Sequence, residues 1–192
     1  MRRRVRLLEQ LTAYRPADDL ESRHHAALVD LLSLPGDIFT RGHFTPGHVT
    51  ASCFILDPDG ERLLLHHHKR LNRWLQMGGH VEGDEQPVEA ALREGREESG
   101  LDDLELVVDE IFDLDVHGIP AAKGEPDHAH YDVRFLACTR APERIVIDAE
   151  ESNALQWVPF AEAEALMDEE ASSRVLRKIE RRMNERRLPW RR

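Results

Sequence analysis

The first 34 residues contain leucines at helical spacing. This pattern predicts two helices within residues 5–34, the second beginning near Pro16 and ending before Pro35, because proline is tolerated in a first helical turn and stops a helix that precedes it. We assign residues 1–45 to a helical extension. The leucines of the two apolar stripes are Leu7, Leu8, Leu11, Leu28, Leu31 and Leu32.

From Gly47 onward the pattern changes to short apolar runs that are typical of strands. The run HVTASCFIL, the DPDG turn at residues 57–60 and the run RLLLHHHK together predict a β-hairpin. Further strand-like runs occupy residues 104–117, 129–138 and 154–158, and the loop GIPAAKGEPD separates the first two of these.

A central helix is predicted from Pro87 to Ser99, with Gly100 in the left-handed conformation that commonly ends a helix. The chain is predicted to be helical again from Ala161, with a stripe that includes Val175 and Ile179. Strands on both sides of a central helix, with helices at both ends of the chain, predict an α/β (α+β) fold with a mixed sheet.

Length and composition limit the class of protein. A chain of 192 residues with 41% hydrophobic and 33% charged residues fits one globular domain with extensions, and no apolar run reaches membrane-spanning length. The basic N-terminus lacks the apolar stretch of a secretory signal. Cys53 and Cys138 lie in strand-like runs, which fits reduced thiols better than a disulfide. We therefore expect a cytoplasmic protein without a membrane partner.

The net charge of −11 is unevenly distributed, since half of the lysines and arginines lie in residues 1–6 and 174–192. The acidic remainder would repel a phosphorylated ligand unless cations intervene, which is a first indication of metal dependence. The basic C-terminal segment could bind nucleic acid. A docked helix with a solvated basic face is the more common origin of such a pattern, so we expect no nucleic-acid partner.

The stretch GHVEGDEQPVEAALREGREESGL, residues 79–101, places three carboxylates on one side of its helix. Glu94, Glu97 and Glu98 stand at positions i, i+3 and i+4, within about 100° of arc. Unpaired, such a cluster would raise its own pKa values, whereas Mg²⁺ or Mn²⁺ would neutralise it. From spacing alone, a solvated charged face with Glu–Arg pairs is the more common explanation.

The whole stretch, however, resembles the Nudix box: Gly, five residues, Glu, seven residues, Arg-Glu, an aliphatic residue, one residue, Glu-Glu, one residue, Gly and an aliphatic residue. Gly95 departs from it, because the family usually has an aliphatic residue there, and a mid-helix glycine suggests a close approach of helix and sheet. The matching positions are Gly79, Glu85, Arg93, Glu94, Glu97, Glu98, Gly100 and Leu101.

The resemblance implies the family's α/β/α sandwich over residues 46–168, followed by a basic C-terminal helix, residues 169–192, packed on that domain. It also implies a hydrolase that uses Mg²⁺ or Mn²⁺ to cleave the diphosphate linkage in a nucleoside diphosphate joined to another moiety. The substrate would be a small phosphorylated molecule, such as a nucleotide or a sugar nucleotide. A homodimer contact through the N-terminal helices is left open.

The resemblance also implies roles for individual residues. Glu94, Glu97 and Glu98 would ligate the metals, joined by the carbonyl of Gly78. Arg93 would pair with Glu85 to brace the loop-helix-loop, in which Gly79 and Gly100 are structural. The general base would be Glu97 or Glu98 or, as in some relatives, a residue of a later loop, here Glu150 or Glu151.

Residues just upstream of the box include candidates for substrate contacts. A basic side chain could meet phosphate, and a tryptophan could stack on a base, although core packing explains that tryptophan equally well. In the run HHHK, strand alternation allows only His66 and His68 to share a metal, and a structural or solvated role is the preferred interpretation. The substrate-contact candidates are Lys69, Arg73, Trp74, Gln76 and His80.

Polar residues alternate along two of the predicted strands, where a buried strand would have apolar ones. If the strands pair, each triplet lies on one face and could supply the cleft with acids, bases or further metal ligands. We therefore include Asp115, His117 and His130 as candidate cleft residues. The triplets are Asp113, Asp115 and His117, and His128, His130 and Asp132.

Two other functions are compatible with the pattern. A regulatory module could bind a nucleotide without turnover, but the intact carboxylate set argues against it. An RNA 5′-end pyrophosphohydrolase would use the basic C-terminal segment to hold the strand and would show a steep salt dependence of RNA binding.

Overall fold

The computed structural model describes residues 2–122, 124–167 and 170–185. In these ranges, two helices precede the strands, one helix lies between two groups of strands, and two helices follow them. The helices are α1 (Arg2–Ala13), α2 (Asp19–Ser33), α3 (Pro87–Ser99), α4 (Phe160–Met167) and α5 (Glu170–Glu185). The strands are β1 (Gly47–Leu56), β2 (Arg62–His68), β3 (Arg73–Leu75), β4 (Met77–His80), β5 (Glu105–Leu106), β6 (Asp113–Ile119), β7 (His128–Cys138) and β8 (Ser152–Pro159).

The strands form one mixed sheet. Its order is β3-β2-β1-β7-β5, and in addition β4 pairs with β1, β6 with β7 and β8 with β2. The pairs β1–β2, β2–β8 and β6–β7 are antiparallel. A mixed sheet with helices before, within and after it confirms the predicted α/β (α+β) class.

The predicted hairpin is confirmed. Strands β1 and β2 pair with Ile55 opposite Leu64, and the turn between them is closed by a hydrogen bond from the Gly60 amide to the Asp57 carbonyl. Gly60 has φ of 70°, the left-handed conformation that glycine adopts without strain. The Asp57 carboxylate also accepts the Glu61 amide at 2.8 Å, which fixes the turn locally.

Helix α3 begins at Pro87 and ends at Ser99, as predicted. Gly100 has φ of 74° and donates its amide to the Arg96 carbonyl at 2.8 Å, the left-handed C-terminal cap. A Cβ at Gly100 would lie 2.9 Å from the Val146 backbone nitrogen, so glycine is required here by conformation and by space.

The chain forms two compact units, and each is described separately. The first comprises residues 1–52, 78–91 and 110–135. Its N-terminal helices follow the leucine pattern, and Asp18 caps α2 by accepting the Glu21 amide at 2.8 Å. Buried side chains of this unit include Leu7, Leu11, Leu28, Leu31, Ile38, Val49, Leu114, Val133 and Phe135.

The second unit comprises residues 53–77, 92–109 and 136–192. Gly95 lies in it, and a Cβ there would meet Leu104 at 3.0 Å and the Cys53 Cβ at 3.4 Å, so the predicted close approach at this glycine is present. Both cysteines are buried free thiols. Apolar side chains buried in this unit include Phe54, Ile55, Leu63, Leu64, Leu65, Val158, Ala163, Val175 and Ile179.

One predicted strand is wrong. The run 104–117 is two separate strands, β5 and β6, because residues 107–110 bend between them and the charged Asp109 and Glu110 are exposed there. The predicted C-terminal helix 169–192 is described only as α5, and the rest of that prediction lies outside the described residues. The division into 1–45, 46–168 and 169–192 stays a prediction. Within the described ranges, the helices are all too short or too polar to cross a bilayer.

Candidate functional site

Three glutamates of α3 define the candidate site in the second unit. Glu98 and Glu94 are largely buried, with side chains 5% and 16% exposed, whereas Glu97 is 59% exposed. Arg93 binds two of them, since its Nη1 donates to Glu94 at 2.9 Å and to Glu97 at 3.0 Å. Two of the three carboxylates, those of Glu94 and Glu97, are therefore joined by one arginine.

Glu98 lies against a buried histidine of β2. The Nδ1 of His66 is 3.8 Å from the Glu98 carboxylate and 2.7 Å from the Ser152 hydroxyl. Burial, reinforced by His68 and His67, lowers the pKa of His66 to about 4, so the imidazole is neutral near pH 7. The contact with Glu98 is therefore not an ion pair, and no full positive charge on this histidine offsets that carboxylate.

The environment of Glu94 also disfavours its negative charge. Burial raises the pKa of the Glu94 carboxyl, Arg93 opposes this rise, and the negative charges of Glu97 and Glu151 add to it. Glu151 also opposes the lowering of the His68 pKa by burial, so its charge acts on two residues of this region. Of the two loop glutamates considered as base, Glu151 is the one linked to the carboxylates, whereas the Glu150 amide is bound to Asp148.

This donor set suits a hard divalent cation. Oxygen ligands dominate it, several carry negative charge, and the burial of Glu94 and Glu98 makes their mutual repulsion costly. Arg93 donates to two of the three carboxylates, Glu94 and Glu97. The residues present therefore fit Mg²⁺ or Mn²⁺ better than they fit a transition metal that prefers nitrogen or sulfur.

The substrate-contact candidates of the second unit surround β3. Trp74 is half-buried, pairs with His67 across the ladder and lies edge-on to its ring, with centroids 5.3 Å apart. Lys69 donates its ammonium group to the Ala149 carbonyl, and Arg73 donates to the Met167 carbonyl at 3.3 Å. Gln76 is half-buried. The prediction that these residues contact substrate stays a prediction.

The predicted pairing of His66 and His68 on one side of β2 is present, with ring centroids 5.5 Å apart. His66 is occupied by the Ser152 hydroxyl, and the His68 Nδ1 accepts the Arg70 amide at 3.1 Å. These contacts support the structural interpretation of this histidine run.

Four candidate residues of the box region lie in the first unit. A Cβ at Gly78 would lie 2.8 Å from the Ala51 carbonyl oxygen, so only glycine fits there. Glu85 accepts the Glu82 amide at 3.1 Å and so orders the loop before α3. Gly79 and His80 are half-buried in β4. The Gly78 metal contact and the Arg93–Glu85 pair stay predictions.

The two polar strands β6 and β7 pair as the alternation required. Asp115 is opposite Asp132, and His117 is opposite His130. The pattern did not identify Arg134 as the partner of the aspartates: this buried guanidinium lies 3.5 Å from Asp113 and 2.9 Å from both Asp115 and Asp132. Thr50 and Ser52 also donate to Asp132.

The charges of this network shift its pKa values. Burial alone would raise the pKa of Asp115, but Arg134 outweighs it, with His117 and His24 contributing, and holds that pKa well below its usual range. The same carboxylates raise the pKa of Arg134 although burial opposes this. The hydrogen bond to Asp115 raises the pKa of His117 despite its burial. Asp115 is thus an ionised member of a buried salt-bridge network that also contains Asp113, Asp132 and Arg134.

The remaining polar residues of this sheet face are imidazoles. His130 has ring centroids 4.8 Å from His48, 5.3 Å from His128, 5.4 Å from His80 and 5.6 Å from His117. The sequence interpretation missed His48. The alternation of His48, Thr50 and Ser52 along β1 was the available signal, because it repeats the polar period of the two other strands.

Comparison with known proteins gives a family match. The NUDIX domain family model matches residues 46–179. A curated protein of Lactococcus lactis subsp. cremoris (strain MG1363), the probable DHNTP pyrophosphohydrolase, is 31% identical over 99 residues. That alignment covers 50% of this chain and 57% of the relative, so the chain spans little more than half of that protein.

Solved structures support the same fold. A C. elegans Ap4A hydrolase in a binary complex has a TM-score of 0.60 and 21% identity, covering 72% of this chain and 98% of that chain. The E. coli dihydroneopterin triphosphate pyrophosphohydrolase has a TM-score of 0.56 and 22% identity, covering 68% of this chain and 92% of that chain.

Proposed function

The chain belongs to the Nudix family, as the box predicted, and on that premise we propose that it is a pyrophosphohydrolase that uses Mg²⁺ or Mn²⁺ to cleave a diphosphate linkage in a small phosphorylated substrate. The observation that supports this most directly is the carboxylate cluster of α3. Glu98 is buried against a neutral imidazole, and Glu94 has a raised pKa, so both benefit from a bound cation.

Glu94, Glu97 and Glu98 would hold the metal in this proposal, with the Gly78 carbonyl as a further ligand. When bound, the cation would neutralise phosphate oxygens and lower the pKa of the attacking water. Arg93 would keep Glu94 and Glu97 in place, since it bonds both of them. His66 would orient Glu98 through the Ser152–His66 hydrogen bond without adding a positive charge.

A base must accept the proton of the attacking water. Glu97, Glu98 and the loop residues Glu150 and Glu151 are the candidates, and we favour Glu151. Its charge influences Glu94, and the strand-end bond from the Lys69 amide to the Glu151 carbonyl, 2.9 Å, fixes its backbone. A carboxylate that is exposed rather than buried can also exchange the proton with solvent after each turnover.

The substrate class follows from the phosphate chemistry, while the rest of the substrate is left to experiment. The relatives named above act, by their names, on a pterin triphosphate and on a dinucleoside polyphosphate, and these share a phosphoanhydride chain. Lys69, Arg73 and Trp74 would contact phosphate and a planar ring system. A cytoplasmic location is part of the proposal, since both cysteines are buried free thiols.

The test is product analysis by mass spectrometry with Mg²⁺ and a panel of nucleoside triphosphates, dinucleoside polyphosphates, sugar nucleotides, ADP-ribose and dihydroneopterin triphosphate. We expect cleavage by the wild type, a loss of about 100-fold or more in Glu98→Gln, and full activity in Glu180→Gln, which removes an exposed carboxylate of α5. Saturable binding of a panel compound without cleavage would instead indicate a regulatory module.

A further inference from the structure

A group of three histidines in the first unit lies outside the carboxylate set described above. One nitrogen from each of His48, His128 and His130 lies within 4.8 Å of the other two. His48 comes from β1, and the other two come from β7, so the group is built on two strands of the sheet. A site on paired strands is held more precisely than one on loops.

His48 is fully buried and has an unused nitrogen. Its Nδ1 lies 3.3 Å from the His43 carbonyl, which makes Nδ1 the protonated donor and leaves a lone pair on Nε2. Among the described residues that Nε2 finds no hydrogen-bond partner. A buried acceptor without a partner is unfavourable, so the position is suited to a ligand that accepts this lone pair.

His128 repeats the arrangement. Its Nδ1 lies 2.8 Å from the Pro126 carbonyl, which again leaves Nε2 as the nitrogen with a lone pair. Phe44 packs edge-on against the His128 ring at 5.0 Å and against the His48 ring at 6.5 Å. Histidine ligands of metals usually donate their second ring nitrogen to a carbonyl or carboxylate in this way, because that bond fixes tautomer and ring orientation.

The surroundings of His48 and His130 disfavour protonation of their imidazoles. Burial and then the neighbouring imidazoles, His48 first, lower the pKa of His130 to about 2. Burial also lowers the pKa of His48, and it lowers that of the adjacent His80 to about 4. Neutral imidazole is the form that ligates metals, and for His48 and His130 it is also the form present near pH 7.

We propose that His48, His128 and His130 form a second metal site, one that binds a zinc-type transition-metal cation through nitrogen. Imidazole ligands suit zinc and its neighbours, whereas Mg²⁺ and Mn²⁺ prefer oxygen, so the histidines and the carboxylates of α3 select different ions. Three protein ligands leave the fourth position of a tetrahedral ion open to water or to a substrate atom.

The required rearrangement is small. With Zn–N bonds of about 2.0–2.1 Å, tetrahedral ligand nitrogens lie roughly 3.4 Å apart, and the present separations are up to 4.8 Å. Rotation of the partly exposed His130 ring can close much of this difference. Access is available beside His128, which lines a surface groove of about 730 Å³ together with Phe44, Pro46 and Ile119.

The experiment measures zinc bound to the full chain after chelator treatment, in excess Mg²⁺ so that oxygen sites are occupied. Zinc content is determined by mass spectrometry, affinity by competition with a chromophoric chelator, and ligand type by the visible spectrum of the Co²⁺-substituted protein. The variants are His48→Gln, His128→Gln and His130→Gln. The matched control is His68→Gln, which alters the other histidine group.

We expect one zinc ion per wild-type chain and a cobalt spectrum typical of tetrahedral coordination. In each of the three variants the affinity for zinc should fall by more than about 100-fold, which exceeds the roughly 10–100-fold loss typical when a residue that only orients a ligand is removed. His68→Gln should bind as the wild type does. Zinc should raise the melting temperature of the wild type and of His68→Gln but not that of the three variants, and His130→Gln is decisive if a variant at a buried histidine fails to fold.

Several results would overturn the proposal. These are substoichiometric zinc in the wild type, wild-type affinity in His130→Gln and His128→Gln, or a loss in His68→Gln equal to theirs. Zinc binding that is abolished by Glu98→Gln and kept by His130→Gln would assign the ion to the carboxylates instead.

Discussion

Replacing Arg134 by methionine tests the buried network of β6 and β7. Arg134 is 2% exposed and bonds three aspartates that are themselves 0–5% exposed, Asp113, Asp115 and Asp132. Methionine fills similar space but removes the guanidinium that lies beside all three carboxylates. Two of them, Asp115 and Asp132, would lose charge-assisted bonds of 2.9 Å.

Removing one partner of a buried pair costs about 3–5 kcal/mol, because the other charge is left uncompensated. Thr50 and Ser52 continue to donate to Asp132, and His117 to Asp115, so these two carboxylates are not stripped of every bond. We therefore expect the lower half of that range, about 3–4 kcal/mol near pH 7. For a chain of this length it corresponds to a fall of roughly 6–16 °C in melting temperature.

The loss should depend on pH in a defined direction. Arg134 holds the folded-state pKa of Asp115 below its unfolded value of about 3.9, so this contribution is present above pH 4 and disappears as the pH falls through the folded-state pKa. The variant lacks this contribution, and its Asp115 carboxyl protonates at a higher pH than in the wild type. The difference in unfolding free energy between wild type and Arg134→Met should therefore shrink below pH 4.

Urea unfolding at pH 7 and at successively lower pH measures this difference. The control is Arg140→Met, whose partner Glu105 is 48% exposed and whose exposed ion pair should contribute no more than about 1 kcal/mol. A wild-type midpoint for Arg134→Met at pH 7, or a difference from wild type that grows as the pH falls, would refute the reasoning.

Three further predictions concern α3 and the loop that precedes β8. Gly100→Ala should lower the unfolding free energy by about 2 kcal/mol or more in urea titration, because φ is 74° and a Cβ would meet the Val146 backbone; wild-type stability would contradict this. Gly95→Leu should cost about 1–3 kcal/mol by overpacking against Leu104, whereas Gly95→Ala should stay within about 1 kcal/mol of wild type, since helix propensity offsets the contact. Glu151→Gln should reduce kcat about 100-fold or more and alter the pH dependence of kcat. The matched control Glu150→Gln should leave both unchanged, and equal effects of the two substitutions would exclude Glu151 as the base.

The sequence predicted local structure best where backbone chemistry decides it. The ends of α3 follow from Pro87 and Gly100, and the β1–β2 turn follows from Asp57 and Gly60, because each position needs a conformation or a bond that few residues supply. The strand predicted at 104–117 failed because apolar content alone does not show where paired strands must bend around charged residues.

The packing of α3 shows what periodicity could not supply. Val88 and Leu92 are large apolar residues of this helix, yet both are only half-buried, and the buried positions include Ala91, Gly95 and Glu98. Helix α3 lies very close to Cys53 and Leu104 at Gly95, so small residues rather than large ones occupy this contact. A sequence-based hydrophobic stripe cannot anticipate this, because it ranks residues by size and polarity and not by the space available.

Some features of the candidate site were predictable from the sequence and others were not. The convergence of Glu94, Glu97 and Glu98 was predictable because it depends only on helical spacing. The neutral His66 beside Glu98 was not predictable, since burial and the Ser152 bond determine its protonation and neither is a property of spacing. Arg134 was missed although it continues the polar alternation of β7, six residues after His128. The reason is that its neighbours from residue 133 onward are apolar, so the run was interpreted as an ordinary buried strand.

Along the β6–β7 ladder, charge compensation changes from one end to the other. At the Arg134 end, one guanidinium lies beside three aspartates, and together with His117 and His24 it holds the pKa of Asp115 well below its usual range. At the His128 end, the neighbours of His130 are other imidazoles, and protonating one would place a positive charge beside several groups of the same potential sign. In a buried setting such repulsion is strong, so His48 and His130 stay neutral and each retains a lone pair. The grouping of imidazoles that keeps His48 and His130 uncharged therefore also leaves each of them with a lone pair that can bind a cation.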